Sequence, residues 1–248
     1  MTDDDLAADL AAAAGELLMA IRAESAEHDR ALGKRGDREA NALLIERLRH
    51  ARPDDCILSE EAKDDLARCS ARRVWIIDPL DGTREYGEGR EDWAVHVGLA
   101  IDGEPVCGAV ALPARGQVFA TGDEGAAPER PRDRLTIAVS RSRAPEIAQA
   151  VADRLGGTLL PMGSAGAKTM AVVAGDADCY LHAGGQYEWD NCAPVAVARA
   201  YGLHASRLDG GQLVYNCANP SLPDLLICRR ELSEMLLGTI IAAGGVPR

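Results

Sequence analysis

The chain has few of the features that mark thiol-rich, secreted or membrane proteins. Its seven cysteines are odd in number and form no C-x-x-C pair, so neither a disulfide framework nor a zinc site is predicted. No apolar run is long enough to cross a bilayer. The stretch Met1–Asp5 is acidic where a secretory signal would be basic. We therefore expect a cytoplasmic protein with no membrane partner.

Positive charge is also scarce, because 27 Lys and Arg stand against 39 Asp and Glu and the net charge is -12. Binding to a nucleic-acid polymer relies on Lys and Arg that release counterions, so this class of partner is not expected. A small phosphorylated substrate stays possible, since bound cations can reverse the local charge. The five histidines are scattered without an H-E-x-x-H pair, and only His182 is a candidate functional residue.

The order of predicted elements changes along the chain. Residues 1–133 read as helices followed by an antiparallel meander, whereas residues 134–248 alternate strands with helices, which is typical of a sheet covered by helices. The segment 122–134, rich in Gly, Pro and charge, is the predicted boundary between two subdomains. The expected fold class is α/β, with an α+β N-terminal half.

Two local expectations bear on the site. Runs 94–101 and 106–112 predict a hairpin that turns at Asp102-Gly103. Gly33 and Gly36 predict a break between helices, after which Asp37 would start the second helix.

The segment Asp78–Thr83, with the sequence DPLDGT, directly follows the apolar run Val74–Ile77. A buried strand would thus deliver two carboxylates into a turn in which Pro79 fixes the backbone and Gly82 permits a sharp reversal. These carboxylates and the carbonyl of Leu80 are the oxygen ligands that Mg²⁺ prefers. The alternative is an ordinary turn, because Asp and Gly are favoured there.

Two further acidic residues favour the metal interpretation. Glu60 follows another short apolar strand, so parallel or adjacent strands would place it beside Asp78. Asp190 precedes an apolar helix, where a simple N-cap is the alternative. Four carboxylates at element ends would repel one another without a cation, so together they indicate metal-dependent chemistry on phosphate.

Basic residues in the second half suggest a place for a second phosphate. Such a group needs cations and amide donors, and helix N-termini near Ser142 and Ser164 would supply the amides. Arg141 and Lys168 stay evenly balanced between this role and that of a solvated surface charge. For Arg143, the surface role is preferred.

These segments resemble the successive signatures of the inositol monophosphatase superfamily, namely Glu60-Glu61, the run 75–83 and Trp189-Asp190. The resemblance implies a layered αβαβα sandwich shared with fructose-1,6-bisphosphatases. It also implies phosphomonoester hydrolysis, two or three Mg²⁺ ions, lithium sensitivity and a possible homodimer. The implied metal ligands are Glu60, Asp78, the carbonyl of Leu80, Asp81 and Asp190, and the implied water-orienting residues are Thr83 with Glu60 or Asp37.

Within this superfamily the chain resembles the CysQ-type branch, which removes the 3′-phosphate of 3′-phosphoadenosine 5′-phosphate. The strings Val139–Ser142, Gly163–Lys168 and Glu188–Asp190 carry the likeness, and 183–186 and 204–210 resemble actinobacterial members. The products would be AMP, or adenosine 5′-phosphosulfate from the sulfated parent, in sulfur assimilation. The implied substrate-binding residues are Asp81, Gly82, Thr83, Ser140, Arg141, Gly163, Ser164, Lys168 and Asp190.

One departure concerns Asp37. The family usually carries a Val-Thr pair shortly before this aspartate, whereas this chain has Gly33-Lys34-Arg35-Gly36. The hydroxyl that would support Asp37 is absent, which weakens its predicted role in water activation or in a third metal site.

Four other functions are alternatives for this sequence. A P-loop kinase fails because residue 167, before Lys168, is Ala, where the motif needs Gly. The haloacid dehalogenase motif D-x-D-G-T has one residue between its aspartates, whereas two separate Asp78 from Asp81. An inositol-1-monophosphatase or fructose-1,6-bisphosphatase of the same superfamily remains an alternative substrate class. A non-catalytic nucleotide or metal sensor is the alternative outside enzymes, although retention of Glu60 and Thr83 argues against it.

Overall fold

The computed structural model describes residues 1–25, 29–123, 125–127 and 134–245. Its helices are α1 (Asp3–Glu24), α2 (Arg30–Ala51), α3 (Thr83–Gly87), α4 (Glu146–Leu155), α5 (Ala165–Val173), α6 (Glu188–Ala200) and α7 (Ser233–Ala242). Its strands are β1 (Cys56–Ser59), β2 (Arg73–Asp81), β3 (Ala94–Ile101), β4 (Glu104–Leu112), β5 (Gln117–Ala120), β6 (Thr136–Ser140), β7 (Thr158–Met162), β8 (Cys179–Tyr187), β9 (His204–Ser206) and β10 (Ser221–Cys228). None of the described helices has the length and apolar character needed to span a membrane.

The first sheet has the strand order β1-β2-β3-β4-β5. Strands β1 and β2 run parallel with Ser59 opposite Ile77, whereas the remaining pairs are antiparallel. The predicted hairpin between β3 and β4 is confirmed. Its turn places Asp102 at φ 53° and Gly103 at φ 81°, the two positive values of a tight primed turn.

The second sheet has the order β7-β6-β8-β10-β9 and is mixed. Strand β6 pairs in parallel with both β7 and β8, whereas β10 runs antiparallel to β8 and β9. The sequence interpretation did not include β9 or β10, and a stretch rich in turn residues separates these two strands. Strand β8 continues through Gly184 and Gly185 to Tyr187.

The layers alternate between helices and sheets. Helices α1 and α2 pack on the first sheet, α5 and α6 lie between the two sheets, and α4 and α7 cover the far face of the second sheet. This arrangement confirms the α/β class and the layered αβαβα sandwich. The segment 122–134 falls partly outside the described residues, and the division at residue 133 stays a prediction.

Helix α2 begins earlier than predicted, and the expected start at Asp37 is wrong. The side chain of Asp29 caps α2 by accepting a hydrogen bond from the Leu32 amide at 2.9 Å. Gly33 lies inside the helix, where a Cβ atom would come within 2.7 Å of the carbonyl oxygen of Thr83. The missing side chain therefore allows close contact between α2 and the Asp78–Thr83 segment instead of ending the helix.

Candidate active site

The pairing of β1 with β2 places Glu60 next to Asp78, as expected. The amide of Glu60 donates to the carbonyl of Ile77 at 3.4 Å, so Glu60 directly follows β1 beside Asp78 near the end of the neighbouring parallel strand β2. Glu60 is exposed at the rim of this edge. Loss of hydration around its carboxyl, followed by repulsion from Asp37 and Asp190, raises its pKa to about 8.

The DPLDGT segment is the irregular end of a strand rather than a free turn. Strand β2 continues to Asp81, with a break in its pairing to β3 between Asp78 and Asp81. The chain reverses at Gly82, which has φ 92° and leads into α3, a short helix that the sequence interpretation did not include. The bulge turns both aspartates toward the same side of the sheet edge, where their carboxylates meet.

Three carboxylates converge beyond this edge. Oxygens of Asp78, Asp81 and Asp190 lie within 4.8 Å of one another. Asp190 comes from the first turn of α6, where it also accepts a hydrogen bond from the Tyr187 amide at 2.6 Å. It is therefore both a capping residue and a member of the cluster, and the two interpretations of its role coexist.

The carboxylate cluster is poorly solvated. Burial, and then the charges of Glu60 and Asp81, raise the pKa of Asp78 well above its ordinary value. Burial and the charge of Asp81 raise the pKa of Asp190 to about 6. Without a cation, the folded protein therefore holds these acids in an environment that favours their neutral forms.

Asp81 differs from its neighbours because it faces a buried histidine. Oδ2 of Asp81 lies 3.1 Å from Nε2 of His96, which is fully buried on β3, and accepts a hydrogen bond from the Gly166 amide at 2.7 Å. Burial alone would raise the pKa of Asp81, yet His96, Lys168 and the Gly166 amide together lower it. Sequence reasoning missed His96, because nothing in its immediate surroundings marks a functional histidine.

Asp37 and Thr83 form a second feature of the site. Oγ1 of Thr83 lies 3.1 Å from the carbonyl oxygen of Leu80 and 3.4 Å from Oδ2 of Asp37. Oδ1 of Asp37 is buried without a hydrogen-bond partner in the described part of the chain. Burial and the charge of Glu61 raise the pKa of Asp37 to about 7.

These observations fit a divalent cation of the Mg²⁺ type. The available ligands are all oxygens, the carboxylates crowd together in a buried place, and one buried carboxylate oxygen lacks a partner. Asp78, Asp81 and Asp190 could hold such an ion, with Glu60 at the rim. The carbonyl of Leu80 lies in the same segment but accepts a hydrogen bond from the hydroxyl of Thr83.

A cleft opens from the cluster toward the second sheet. Of the predicted substrate-binding set, all but Thr83 are among the described residues that line it. The aspartate Asp92 holds one wall in place, because its carboxylate accepts from the Gly163 amide at 2.6 Å and its carbonyl from the Ser164 amide at 3.1 Å. The cleft is lined by Asp81, Gly82, Ser140, Arg141, Gly163, Ser164, Lys168 and Asp190, and also by Glu85, Ser142, Arg143, Met162, Ala165, Tyr180, His182, Gly185 and Gln186.

Three basic residues that line the cleft, Arg141, Arg143 and Lys168, differ in their contacts within the protein. Arg141 pairs with Glu85 at 2.7 Å and with Glu88 at 3.4 Å. Arg143, by contrast, is exposed and has no ion pair among the described residues, although it lines the cleft. Its exposure agrees with the preferred surface interpretation, and its position also makes it part of the cleft lining.

Lys168 is buried, and its Nζ donates to the carbonyls of Gly163 and Ser164. Nζ also lies 5.1 Å from the ring centre of Tyr180. Burial lowers the pKa of Lys168 to about 8. Because an ammonium group has three protons, one donor of Lys168 remains for a ligand.

The predicted helix N-termini supply fewer amide donors than expected. The helix predicted near Ser142 is α4, which starts at Glu146 after Pro145. At the start of α5, the Gly166 amide donates to Asp81 and the Ala167 amide to Oγ of Ser164 at 2.9 Å. Two of the first amides of α5 are thus already used within the protein.

An aromatic pair stands beside the cleft. The rings of Tyr187 and Trp189 stack with centroids 4.7 Å apart and planes 10° apart. Tyr187 remains 49% exposed, and its neighbours Gln186 and Asp190 line the cleft. A flat, partly exposed ring is therefore available beside the cleft.

Comparisons with known proteins agree with this architecture. A model of the inositol monophosphatase family matches residues 3–240. A 3′-phosphoadenosine 5′-phosphate phosphatase of Mycobacterium leprae is 53% identical over 97% of this chain and 94% of its own length. The 3′(2′),5′-bisphosphate nucleotidase CysQ of Escherichia coli is 30% identical over 72% of this chain and 77% of its own.

A solved structure gives the same result for the fold. The CysQ of Bacteroides thetaiotaomicron superposes with a TM-score of 0.79 at 26% identity, over 92% of this chain and 97% of that chain. The family match extends over both sheets and over every carboxylate of the cluster. With its layered sandwich and its close sequence relatives, this chain belongs to the inositol monophosphatase family.

Proposed function

We propose that this protein is a Mg²⁺-dependent phosphomonoesterase that hydrolyses the 3′-phosphate of 3′-phosphoadenosine 5′-phosphate. The observation that carries the proposal is the convergence of Asp78, Asp81 and Asp190 at one end of a cleft whose other lining residues include Lys168 and Arg143. The relatives named as 3′-phosphoadenosine 5′-phosphate phosphatases support the substrate. The sulfated parent is a second substrate of the same chemistry, and sulfur assimilation is the role that the resemblance implies.

The net reaction adds water across the P–O bond, giving a free ribose hydroxyl and inorganic phosphate. Bound Mg²⁺ would neutralise phosphate charge and make water a better nucleophile. Asp78, Asp81, Asp190 and Glu60 would hold the ions, together with the carbonyl of Leu80. This role explains why the protein keeps several acids where their charges repel.

The residues Thr83, Asp37 and Glu60 would orient the attacking water. The hydroxyl of Thr83 has one proton, and both the carbonyl of Leu80 and Oδ2 of Asp37 lie within reach of it. When this proton is directed at either acceptor, the lone pairs of Thr83 can accept a hydrogen bond from water. The hydroxyl that contacts Asp37 in this chain is that of Thr83.

A bisphosphate nucleotide fits the remainder of the cleft. The phosphate remote from the carboxylates would bind Arg143 and the third donor of Lys168, with Ser140, Ser164 and Gly163 along the wall. Arg141 would contribute less, because Glu85 already neutralises it. The exposed face of Tyr187 offers a purine a stacking surface that inositol phosphates cannot use.

Phosphate release from a matched panel tests this function. The panel contains 3′-phosphoadenosine 5′-phosphate, its sulfated parent, inositol 1-phosphate and fructose 1,6-bisphosphate, each with and without Mg²⁺. We expect the nucleotides to give the highest kcat/KM, and Asp81→Asn to abolish release while the far-UV circular dichroism stays unchanged. Preference for inositol 1-phosphate or fructose 1,6-bisphosphate would move the enzyme to another substrate class.

Two other outcomes would overturn the reaction itself. Tight nucleotide binding without phosphate release would identify a sensor, and a trapped phosphoaspartate would identify an aspartyl-nucleophile phosphatase. Inhibition by lithium and a homodimer are further proposals that rest on the family resemblance, and a cytoplasmic location is one that rests on the sequence. Inhibition assays, sedimentation and fractionation test them.

A further inference from the structure

His96 is a buried polar residue that the proposed reaction does not yet use. It sits on β3 directly opposite Asp78 in the pairing of β2 with β3, and its side chain is fully removed from solvent. Nδ1 lies 2.9 Å from the carbonyl oxygen of Trp189, and Nε2 lies 3.1 Å from Oδ2 of Asp81. The imidazole thus bridges two elements that carry members of the carboxylate cluster.

The partners of the imidazole determine its orientation. A carbonyl oxygen can only accept, so Nδ1 carries a hydrogen and donates it to Trp189. This bond directs Nε2 at Asp81. The approach of Nε2 to Oδ2 is at ion-pair distance, although it falls short of an aligned hydrogen bond.

The surrounding backbone makes room for this contact. A Cβ atom on Gly166 would lie 2.2 Å from Nε2 of His96, so any larger residue at this position would expel the ring. The amide of Gly166 also donates to the same oxygen of Asp81. The Gly166 amide therefore binds Oδ2 while Nε2 of His96 lies against it, whereas Oδ1 of Asp81 has no hydrogen bond among the described residues.

We propose that His96 is a positioning residue for the metal site. It fixes the rotation of the Asp81 carboxylate so that Oδ1 points into the cluster. Through the Trp189 carbonyl it also holds the first turn of α6, and hence Asp190, at a constant distance from the end of β2. The inference rests on the proposed Mg²⁺ site, since its consequence is the affinity for the ion.

Two substitutions at His96 test its contact with Trp189 and its contact with Asp81 separately. The amide nitrogen of Asn can occupy the position of Nδ1, so His96→Asn keeps the bond to Trp189 and loses the contact with Asp81. The longer His96→Gln can place its amide nitrogen near Nε2 and keep the contact with Asp81. Residues that orient metal ligands typically contribute about 10- to 100-fold to metal affinity.

The measurement is Mg²⁺ binding by calorimetry without substrate, together with the Mg²⁺ concentration for half-maximal phosphate release. We expect His96→Asn to weaken both by about 10-fold or more, and His96→Gln to restore most of the loss. The control is His204→Asn, a matched change at a partly buried histidine on β9, remote from the carboxylates, whose Nε2 contacts Ser206. The melting temperature of the metal-free variants reports on folding separately.

Unchanged Mg²⁺ binding in a folded His96→Asn would overturn the positioning role while leaving the proposed function intact. Wild-type protein that binds no Mg²⁺ and releases no phosphate would instead refute the function. Should the His96 variants not fold, nitrogen resonances of ¹⁵N-histidine in the wild type give the same test. Mg²⁺ should shift the His96 signals and not those of His204, and an unshifted His96 would contradict the proposal.

Discussion

Oδ2 of Asp37 lies 3.4 Å from Oγ1 of Thr83, although the two residues belong to different elements and are 46 positions apart. The contact depends on α2 passing directly over the end of β2. Gly33, one helical turn before Asp37, faces the carbonyl of Thr83 without an intervening side chain.

Substituting Gly33 should therefore disturb the packing of α2 against Thr83. In Gly33→Ala, the new Cβ would lie 2.7 Å from the carbonyl oxygen of Thr83 and 2.9 Å from Cγ2 of Thr83. We expect this overlap to destabilise the protein by about 1–3 kcal/mol and to lower kcat. Chemical denaturation and phosphate release measure the two effects. Gly238→Ala is the matched control, because this helical glycine on α7 has open space around it and should gain about 1 kcal/mol.

Removing one charge from the cluster should separate stability from activity. We expect Asp78→Asn to raise the melting temperature of the metal-free protein, because a buried, repelled carboxylate is replaced by a neutral amide. Phosphate release should fall by about 100-fold or more, and the stabilisation by Mg²⁺ should largely disappear. Thermal denaturation with and without Mg²⁺ tests this, with exposed Asp9→Asn as the control. A metal-free variant that melts well below the wild type would contradict the repulsion argument.

The stability of the metal-free protein should fall as pH rises from about 6.5 to 8. The folded protein holds protons on buried Asp37, whose pKa is about 7, and to a smaller extent on Glu60, because solvent reaches Glu60 at the rim and weakens the loss of hydration and the repulsion that raise its pKa. The unfolded chain loses the same protons near pH 4, so over this window the folded state binds more protons and deprotonation costs stability. The change should be on the order of 1 kcal/mol, or a few degrees in Tm. Saturating Mg²⁺ should remove most of this dependence, and a Tm that rises with pH would refute it.

Arg143 should contribute to the preference for a substrate with two phosphates. Arg143→Ala should raise KM for 3′-phosphoadenosine 5′-phosphate by about 10-fold, since a charge-assisted contact with the remote phosphate is lost. Inositol 1-phosphate has no second phosphate, so its KM should not change. Exposed Arg154→Ala on α4 is the control. Equal losses for both substrates would show that Arg143 does not recognise the second phosphate.

Sequence reasoning succeeded where function depends on local order. Asp78 and Asp81 share one short segment, and Glu60 follows a strand that its apolar run predicts. The sequence left the pairing of the two strands as a condition, and the parallel pairing of β1 with β2 meets it by bringing Glu60 beside Asp78. Sequence reasoning failed at Gly33, because a glycine inside a helix and a glycine that ends one look the same until the neighbouring element is known.

The amino-acid sequence by itself determined the α/β class through the order of its elements and the family resemblance through its motifs. That resemblance implies the layered sandwich and the acids that form the cluster. Only the tertiary structure decided which charges are available. It pairs Arg141 with Glu85 and leaves Arg143 open to the cleft. It also places His96 against Asp81, across the gap that Gly166 leaves. Such contacts join residues from separate elements, and their energies depend on burial and distance, which no single stretch of sequence contains.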